Sequence, residues 1–200
     1  MLILASASKA RLELLKSVGI SPDKIISTDI NEKPKKDEKP LDYVFRIALE
    51  KNKAVKKNSS EIVLSADTIV AVGRRILLKP NNIEEASSFL SLLSGRRHRV
   101  HTSICIFYNH RYYQKNITTI LKMKRLSEEE KKSYLKSEEW KGKAGGYSIQ
   151  GAASYFFPFI SGSYSNVVGL PLTETIGLLN GLGFKSPSFL NRSNNWVLKL

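Results

Sequence analysis

Two segments of this chain, residues 2–5 and 62–66, are apolar or small at every position for the length of a strand, and such a run leaves no face for water. A strand of that kind needs helices on both sides. The intervening sequence supplies them. Ser8 is placed to cap a helix carrying Leu12, Leu14, Leu15 and Val18 at helical spacing, with Gly19 as its stop. Residues 24–28 read as a strand, 31–39 as a charged loop, and 41–57 as a helix with Val44, Phe45, Ala48 and Val55 on one face. Asp67 and Thr68 end the second apolar run, and short strands at 69–72 and 76–78 flank a Gly73-Arg74 turn. Pro80 precedes a helix over 83–93 that stops at Gly95. Residues 100–108 and 112–123 pair as a hairpin around Asn109-His110. Ser127 and Glu130 form a capping box for a helix reaching Ser137.

A glycine-rich stretch over 142–151 follows, then an aromatic run over 155–159 that reads as a core strand, a glycine-bounded segment over 162–169, and a last helix over 172–182. The pattern predicts an α/β fold, a mixed sheet with flanking helices. One domain over residues 1–185 accommodates all of it, and the polar, aperiodic residues 186–200 are expected to be a loosely ordered tail.

With 42% hydrophobic residues the chain can build its core without cross-links. Its single cysteine, Cys105, falls in an alternating strand and is expected to be buried and unpaired. No stretch has the length and apolarity of a membrane span, and no export signal is legible, so a cytoplasmic protein without membrane contact is expected. The net charge of +14 attracts polyanions, whether nucleic acid, acidic membrane or nucleotide phosphates. Lysine and asparagine are abundant throughout the chain, as over 33–39, 51–57 and 131–143, so compositional bias accounts for the charge equally well.

Several segments carry residues fit for chemistry. The loop Ala5-Ser6-Ala7-Ser8 lies between a strand and a helix opening with Lys9 and Arg11, which puts hydroxyls, free N–H groups and cations where a phosphate could sit. An ordinary serine cap explains it too. Asp67, directly after a buried run with no helix to cap, is suited to metal binding or base catalysis. Lys79 is held extended by Pro80 and could aim its ammonium into a site or into water. His98 and His101 are read as sharing a strand face, but no third nitrogen or sulfur ligand is near, which disfavours zinc. In Lys143-Ala144-Gly145-Gly146-Tyr147-Ser148-Ile149-Gln150-Gly151 the glycines allow close backbone approach, and the Gln150 amide can both donate and accept toward a base edge. Neither a P-loop nor a dinucleotide fingerprint is present.

Taken in order, these segments resemble the Maf family of nucleoside triphosphate pyrophosphatases from Leu2 to about Gly183. The resemblance rests on Leu4-Ala5-Ser6-Ala7-Ser8 with Arg11, Ala66-Asp67-Thr68, Lys79-Pro80, Leu93-Ser94-Gly95-Arg96, Lys143-Ala144-Gly145-Gly146-Tyr147 with Ile149-Gln150-Gly151, and Val167-Val168-Gly169-Leu170-Pro171. It implies an inosine-triphosphatase-like fold with a central nucleotide cleft, and hydrolysis of nucleoside triphosphates to monophosphate and pyrophosphate. It further implies Asp67 as proton acceptor, Glu32 and Lys51 completing the polar centre, and Ser6, Ser8, Arg11 and Lys79 facing the triphosphate. A divalent cation, Mg²⁺ or Mn²⁺, is expected on Asp67 and Glu32, and a homodimer is a family-level expectation. Thr68 and Gln150 match the branch resembling dTTP and UTP hydrolases. Many relatives have Pro-Arg-Arg where this chain has Lys9-Ala10-Arg11, so one guanidinium is missing from the phosphate loop. The competing expectation is a non-catalytic nucleotide- or nucleic-acid-binding regulator of cell division using the basic loops. Against nucleic acid, aromatics are not interleaved with the basic residues.

Overall fold

The computed structural model describes residues 1–184; the expectation about 186–200 lies outside the described residues. Seven strands form one mixed sheet: β1 (Leu2–Leu4), β2 (Lys24–Ile25), β3 (Ile62–Val72), β4 (Arg75–Leu77), β5 (Arg97–Tyr108), β6 (Arg111–Lys122) and β7 (Phe159–Ser161). The spatial order is β2-β1-β3-β5-β6-β7, with β4 also on β3. β1 runs parallel to β2 and β3, and every other pairing is antiparallel. Among the described residues six α-helices cover the sheet: α1 (Lys9–Ser17), α2 (Pro40–Lys53), α3 (Ile83–Leu93), α4 (Glu128–Lys136), α5 (Tyr164–Val168) and α6 (Leu172–Gly181). The expected α/β class, with a mixed sheet and flanking helices, is what the chain forms.

Local signals act as their chemistry requires. Asn109 and His110 both take positive φ, 47° and 61°, the left-handed pair of a tight hairpin turn whose twist matches the strands it joins. The Ser127 hydroxyl accepts from Glu130 N–H while the Glu130 carboxylate accepts from Ser127 N–H, completing the capping box. Cys105 is buried and free.

Alternation along β3 and β5 sorts their side chains onto two faces. Ser65, Asp67 and Ile69 face α2, where Ile69 packs on Tyr43, Val44 and Ile47 and the Ser65 hydroxyl donates to Ala48 O. Leu64, Ala66 and Ile104 belong to the opposite face with Leu15 of α1 and Leu179 of α6. Farther along that face Val100 and Leu121 pack on Leu90, Phe156 and Trp140.

Five expectations need correction. β3 does not end before Asp67 but runs unbroken to Val72, because its ladder to β5 is made by backbone groups that ignore the side chain, with Asp67 opposite Ser103. β2 is two residues long rather than five, because it borders the sheet and pairs with β1 alone. α2 stops at Lys53, and the chain turns at Val55, whose N–H donates to Asn52 O, before Lys57 folds back onto Asn52. The aromatic run is no single strand: Ala152–Phe156 is a 3₁₀ helix and β7 begins only after Pro158, which has no N–H for a ladder. Of that run, Phe156 and Phe157 are buried whereas Tyr155 and Phe159 are exposed. His98 and His101 also part company, since an odd spacing on a strand sends them to opposite faces. His98 meets the Tyr147 hydroxyl at 2.9 Å and His101 meets that of Thr118 at 2.8 Å.

Candidate active site

The cleft follows from the sheet's pairing. One edge of β3 is fully laddered to β5. Along its other edge β1 pairs only as far as Leu64 and β4 begins only at Val70. Between them residues 65–69 have no strand partner on that side, and β1 peels away there into the Ser6–Ser8 loop. Neighbouring residues of β3 can reach round this open edge from both faces: Asp67 from the α2 side, Thr68 from the other. A cavity of about 550 Å³ occupies the gap, within the usual range for small-molecule sites. A smaller one of about 180 Å³, lined by Asp67 and Tyr43, shares Glu32, Thr68 and Lys79 with it.

At one end Lys51 of α2 lies between two carboxylates, its Nζ 2.7 Å from Asp67 Oδ1 and 2.9 Å from Glu32 Oε1. Asp67 and Lys51 are both buried. Burial pushes the Asp67 carboxyl up from its ordinary value, opposed by the charges of Lys51 and Arg11. Glu32 comes from the charged loop, which is pinned rather than loose. Arg46 grips Glu38 at 2.6 Å and holds its carboxyl down to about 2, the same guanidinium donates to Lys33 O, and the Tyr43 hydroxyl donates to Glu32 O at 2.7 Å.

At the other end the Ser6–Ser8 loop enters α1. Ser8 caps the helix by accepting from Arg11 N–H, and Ser6 Oγ accepts from Ser8 N–H. The Arg11 guanidinium is buried and donates from three nitrogens: Nε to Gly169 O at 2.9 Å, Nη1 to Ser6 Oγ at 2.9 Å and Nη2 to Thr68 Oγ1 at 3.2 Å. Burial lowers its pKa, while Asp67 and Glu32 pull it back up. All its partners are uncharged. Lys9, Lys79 and Lys143 are exposed on the same cavity and make no ion pair among the described residues.

The glycine-rich stretch forms the opposite wall. Gly145 has φ 70° and an added Cβ would lie 2.7 Å from a Val70 methyl, so glycine is what lets this turn pack on β3. Its N–H donates to Leu78 O, which ties the turn to Lys79. The wall presents Tyr147, Ser148 and Gln150 to the cavity, with the Tyr147 hydroxyl anchored on His98 and Ser148 N–H donating to the Tyr134 hydroxyl.

Thus Ser6, Ser8, Arg11, Glu32, Lys51, Thr68, Lys79 and Gln150 all border the main cavity, and Asp67 lies in the adjoining one. Lys51 had a legible signal: it follows Val44 by seven residues and Ala48 by three, which places it on the buried face of α2. Asn166 escaped the sequence reading. It is wholly buried, donating from Nδ2 to Val100 O at 3.2 Å and to Thr119 Oγ1 at 2.9 Å, and only the flanking Gly162 and Gly169 mark its turn out in sequence.

A model of the Maf-like protein family matches residues 1–182. The chain belongs to the Maf family. Among its relatives, the dTTP/UTP pyrophosphatase of Roseobacter denitrificans is 52% identical over 188 residues, covering 94% of this chain and 100% of that one. That of Wolbachia pipientis wMel is 52% identical over 182 residues, covering 90% and 92%. A solved HAM1 protein from Coxiella burnetii overlaps 62% of this Maf chain and 73% of its own, at 13% identity and a TM-score of 0.40. No helix among the described residues of this Maf protein is long and apolar enough to cross a membrane.

Proposed function

We propose that this Maf protein hydrolyses nucleoside triphosphates, with dTTP, UTP and modified pyrimidine nucleotides as substrates, to the nucleoside monophosphate and pyrophosphate. The observation that carries the reading is the polarity of the cleft: unneutralised Lys9, Arg11, Lys79 and Lys143 on one side, and the Asp67–Lys51–Glu32 cluster on the other. A triphosphate needs the first, and water activation needs the second. The names of the relatives support the same chemistry.

In the reaction a water oxygen bonds to the α phosphorus, the bond from that phosphorus to the bridging oxygen breaks, and pyrophosphate departs with the electron pair. Asp67 takes the proton from the water, and its raised pKa makes it a better acceptor than a solvated carboxylate. Lys51 fixes the orientation of both carboxylates. Arg11 and the three open lysines draw in and hold the phosphate oxygens. Ser6 and Ser8 position the loop that receives them. The Gln150 amide offers one acceptor and one donor set, the complement of the N3–H and O4 edge shared by uracil and thymine.

A divalent cation, Mg²⁺ or Mn²⁺, fits this donor set. Asp67 Oδ2 and Glu32 Oε2 accept no hydrogen bond from the described residues, and two hard carboxylate oxygens plus substrate phosphates are an ordinary magnesium environment. Such a cation held by Asp67 and Glu32 would supply charge neutralisation on the phosphates and a more acidic bound water. We assign the activity to the cytosol, where the nucleotide pool is, and expect a homodimer, which analytical ultracentrifugation would reveal.

The test is pyrophosphate release from dTTP, UTP, CTP, 7-methyl-GTP and a modified pyrimidine triphosphate, with Mg²⁺ or Mn²⁺, for wild type and Asp67→Asn. Metal-dependent turnover of the pyrimidine substrates that collapses in the variant is expected. Absence of turnover from folded wild type would overturn the hydrolase reading and leave a nucleotide-binding or regulatory protein.

A further inference from the structure

A line of hydrogen bonds starts at Arg11 and leaves the cleft. Because a guanidinium only donates, the 3.2 Å contact from Nη2 to Thr68 Oγ1 has one direction. Thr102 Oγ1 donates to Asn166 O at 3.1 Å, so its lone pairs are free to accept from the Thr68 hydroxyl 3.0 Å away. The Thr68 hydroxyl also has Gly169 O within reach at 3.4 Å, and along the shorter contact the order is Arg11 to Thr68 to Thr102 to the carbonyl of Asn166. Asn166 is fixed in turn by its side chain on Val100 O and Thr119 Oγ1, and Thr119 exchanges two hydrogen bonds with the backbone of Ser163. The line crosses β3, β5 and β6 and ends in the α5 segment. That segment also supplies Gly169 O, the acceptor for Arg11 Nε. The arginine is thus held at two points by one short helical segment, once directly and once through two threonines.

The attachment of that segment is close. Gly162, at φ 123°, leaves so little room that an added Cβ would lie 2.8 Å from Thr119 Oγ1 and 3.1 Å from Thr119 Cα. At the other end Gly169 has φ 128°. Neither backbone angle suits a residue with a side chain.

From this geometry we infer that Thr102 and Asn166 are positioning residues for nucleotide binding, acting through Thr68 to set the Arg11 guanidinium. The inference rests on the hydrolase reading above and adds to it. The Thr68 hydroxyl is already committed to Arg11 and Thr102, so it contributes to substrate handling by aiming the arginine rather than by reading the base. The arginine keeps its charge because every group that aims it is neutral, and its remaining N–H bonds stay available for phosphate oxygens. Nothing in the line touches Lys51, and Arg11 acts on Asp67 only through its charge, which Thr102→Val leaves in place.

Thr102→Val keeps the shape and removes the link, whereas Thr102→Ser keeps the hydroxyl. With dTTP or UTP, Thr102→Val should raise KM and weaken binding of an α,β-imido analogue by about tenfold. It should leave kcat within about twofold and the pH–rate profile unmoved, and Thr102→Ser should restore KM. Thermal unfolding is measured alongside. If Thr102→Val fails to fold, Thr68→Val breaks the same line at a less buried position. A folded variant with wild-type KM and affinity overturns the inference, as does a loss confined to stability or to kcat. A second readout needs no turnover: the Arg11 Nη2–H resonance, whose acceptor is Thr68 Oγ1, should exchange slowly in wild type and Thr102→Ser and rapidly in Thr102→Val. Inactive wild type would sink the hydrolase reading, and the resonance would then decide the inference alone, an unchanged exchange rate overturning it.

Discussion

The two ends of the cleft solve one problem, a buried cation beside water, in opposite ways. Lys51 is paired with two carboxylates, so its charge is spent and the cluster is negative overall. Arg11 is paired with a carbonyl and two hydroxyls, so its charge is kept. Buried charges ordinarily demand a counter-ion. An arginine denied one is poised to acquire it from a ligand, while a lysine given two holds both carboxylates in place. Few residues separate these environments, because Asp67 and Thr68 are neighbours on one strand with opposite faces.

The contrast breaks most sharply at Asp67. Asp67→Asn removes the proposed proton acceptor while leaving Arg11 and the open lysines in place, so kcat should fall by about 10³-fold with nucleotide affinity kept. Stability should not fall with it. Burial raises the Asp67 pKa, so the folded state holds that proton more readily than the unfolded chain does, and its ionised form subtracts from stability. A variant that loses nucleotide affinity as much as turnover would merge the two ends into one.

Arg11→Lys tests the other end. An ammonium keeps the charge but cannot reach Gly169, Ser6 and Thr68 together, so kcat/KM should fall by about 10²-fold, chiefly in KM. Stability should drop by about 1–2 kcal/mol from the orphaned carbonyl and hydroxyls. If Lys serves as well as Arg, charge alone matters and the threefold grip is incidental. Lys143→Met is the milder probe. This lysine is exposed and unpaired among the described residues, and its loss should raise KM by only about threefold to tenfold, the more so at low salt.

Much of this is legible in the sequence, but unevenly. Helix starts and the hairpin turn were readable because Ser8, Ser127 and Asn109-His110 act on their own backbone. Asp67 stood out as a carboxylate after an apolar run, but its continuation as a strand depends on Ser103, which lies thirty-six positions away. Glu32 sits in a charged loop and so looks solvated, whereas the spacing of Lys51 from Val44 and Ala48 marks it as buried without naming its partners. Only the fold brings both to one point, and only the family resemblance named them in advance. Asn166 left no trace because its work lies with partners on β5 and β6.

The smallest expected effect separates the cleft's chemistry from the wall that shapes it. His98 is buried behind Tyr147, and burial holds its imidazole at about 4, below the ordinary 6.5. Between those values the unfolded chain takes up a proton that the folded chain refuses, so stability is complete above pH 6.5 and drains as pH falls toward 4. His101 is also held at about 4 and acts in the same direction. For His98 the loss is at most about 3 kcal/mol. Asp67 runs the other way, since protonating it relieves the folded state. Thermal unfolding followed from pH 7 to pH 4 should therefore decline less steeply in His98→Phe than in wild type, whereas Asp67→Asn should leave the slope as steep or steeper. Were His98→Phe to keep the wild-type slope, the acid sensitivity would belong to His101 and other groups outside the wall, and the wall's imidazole would not be the group on which acid acts.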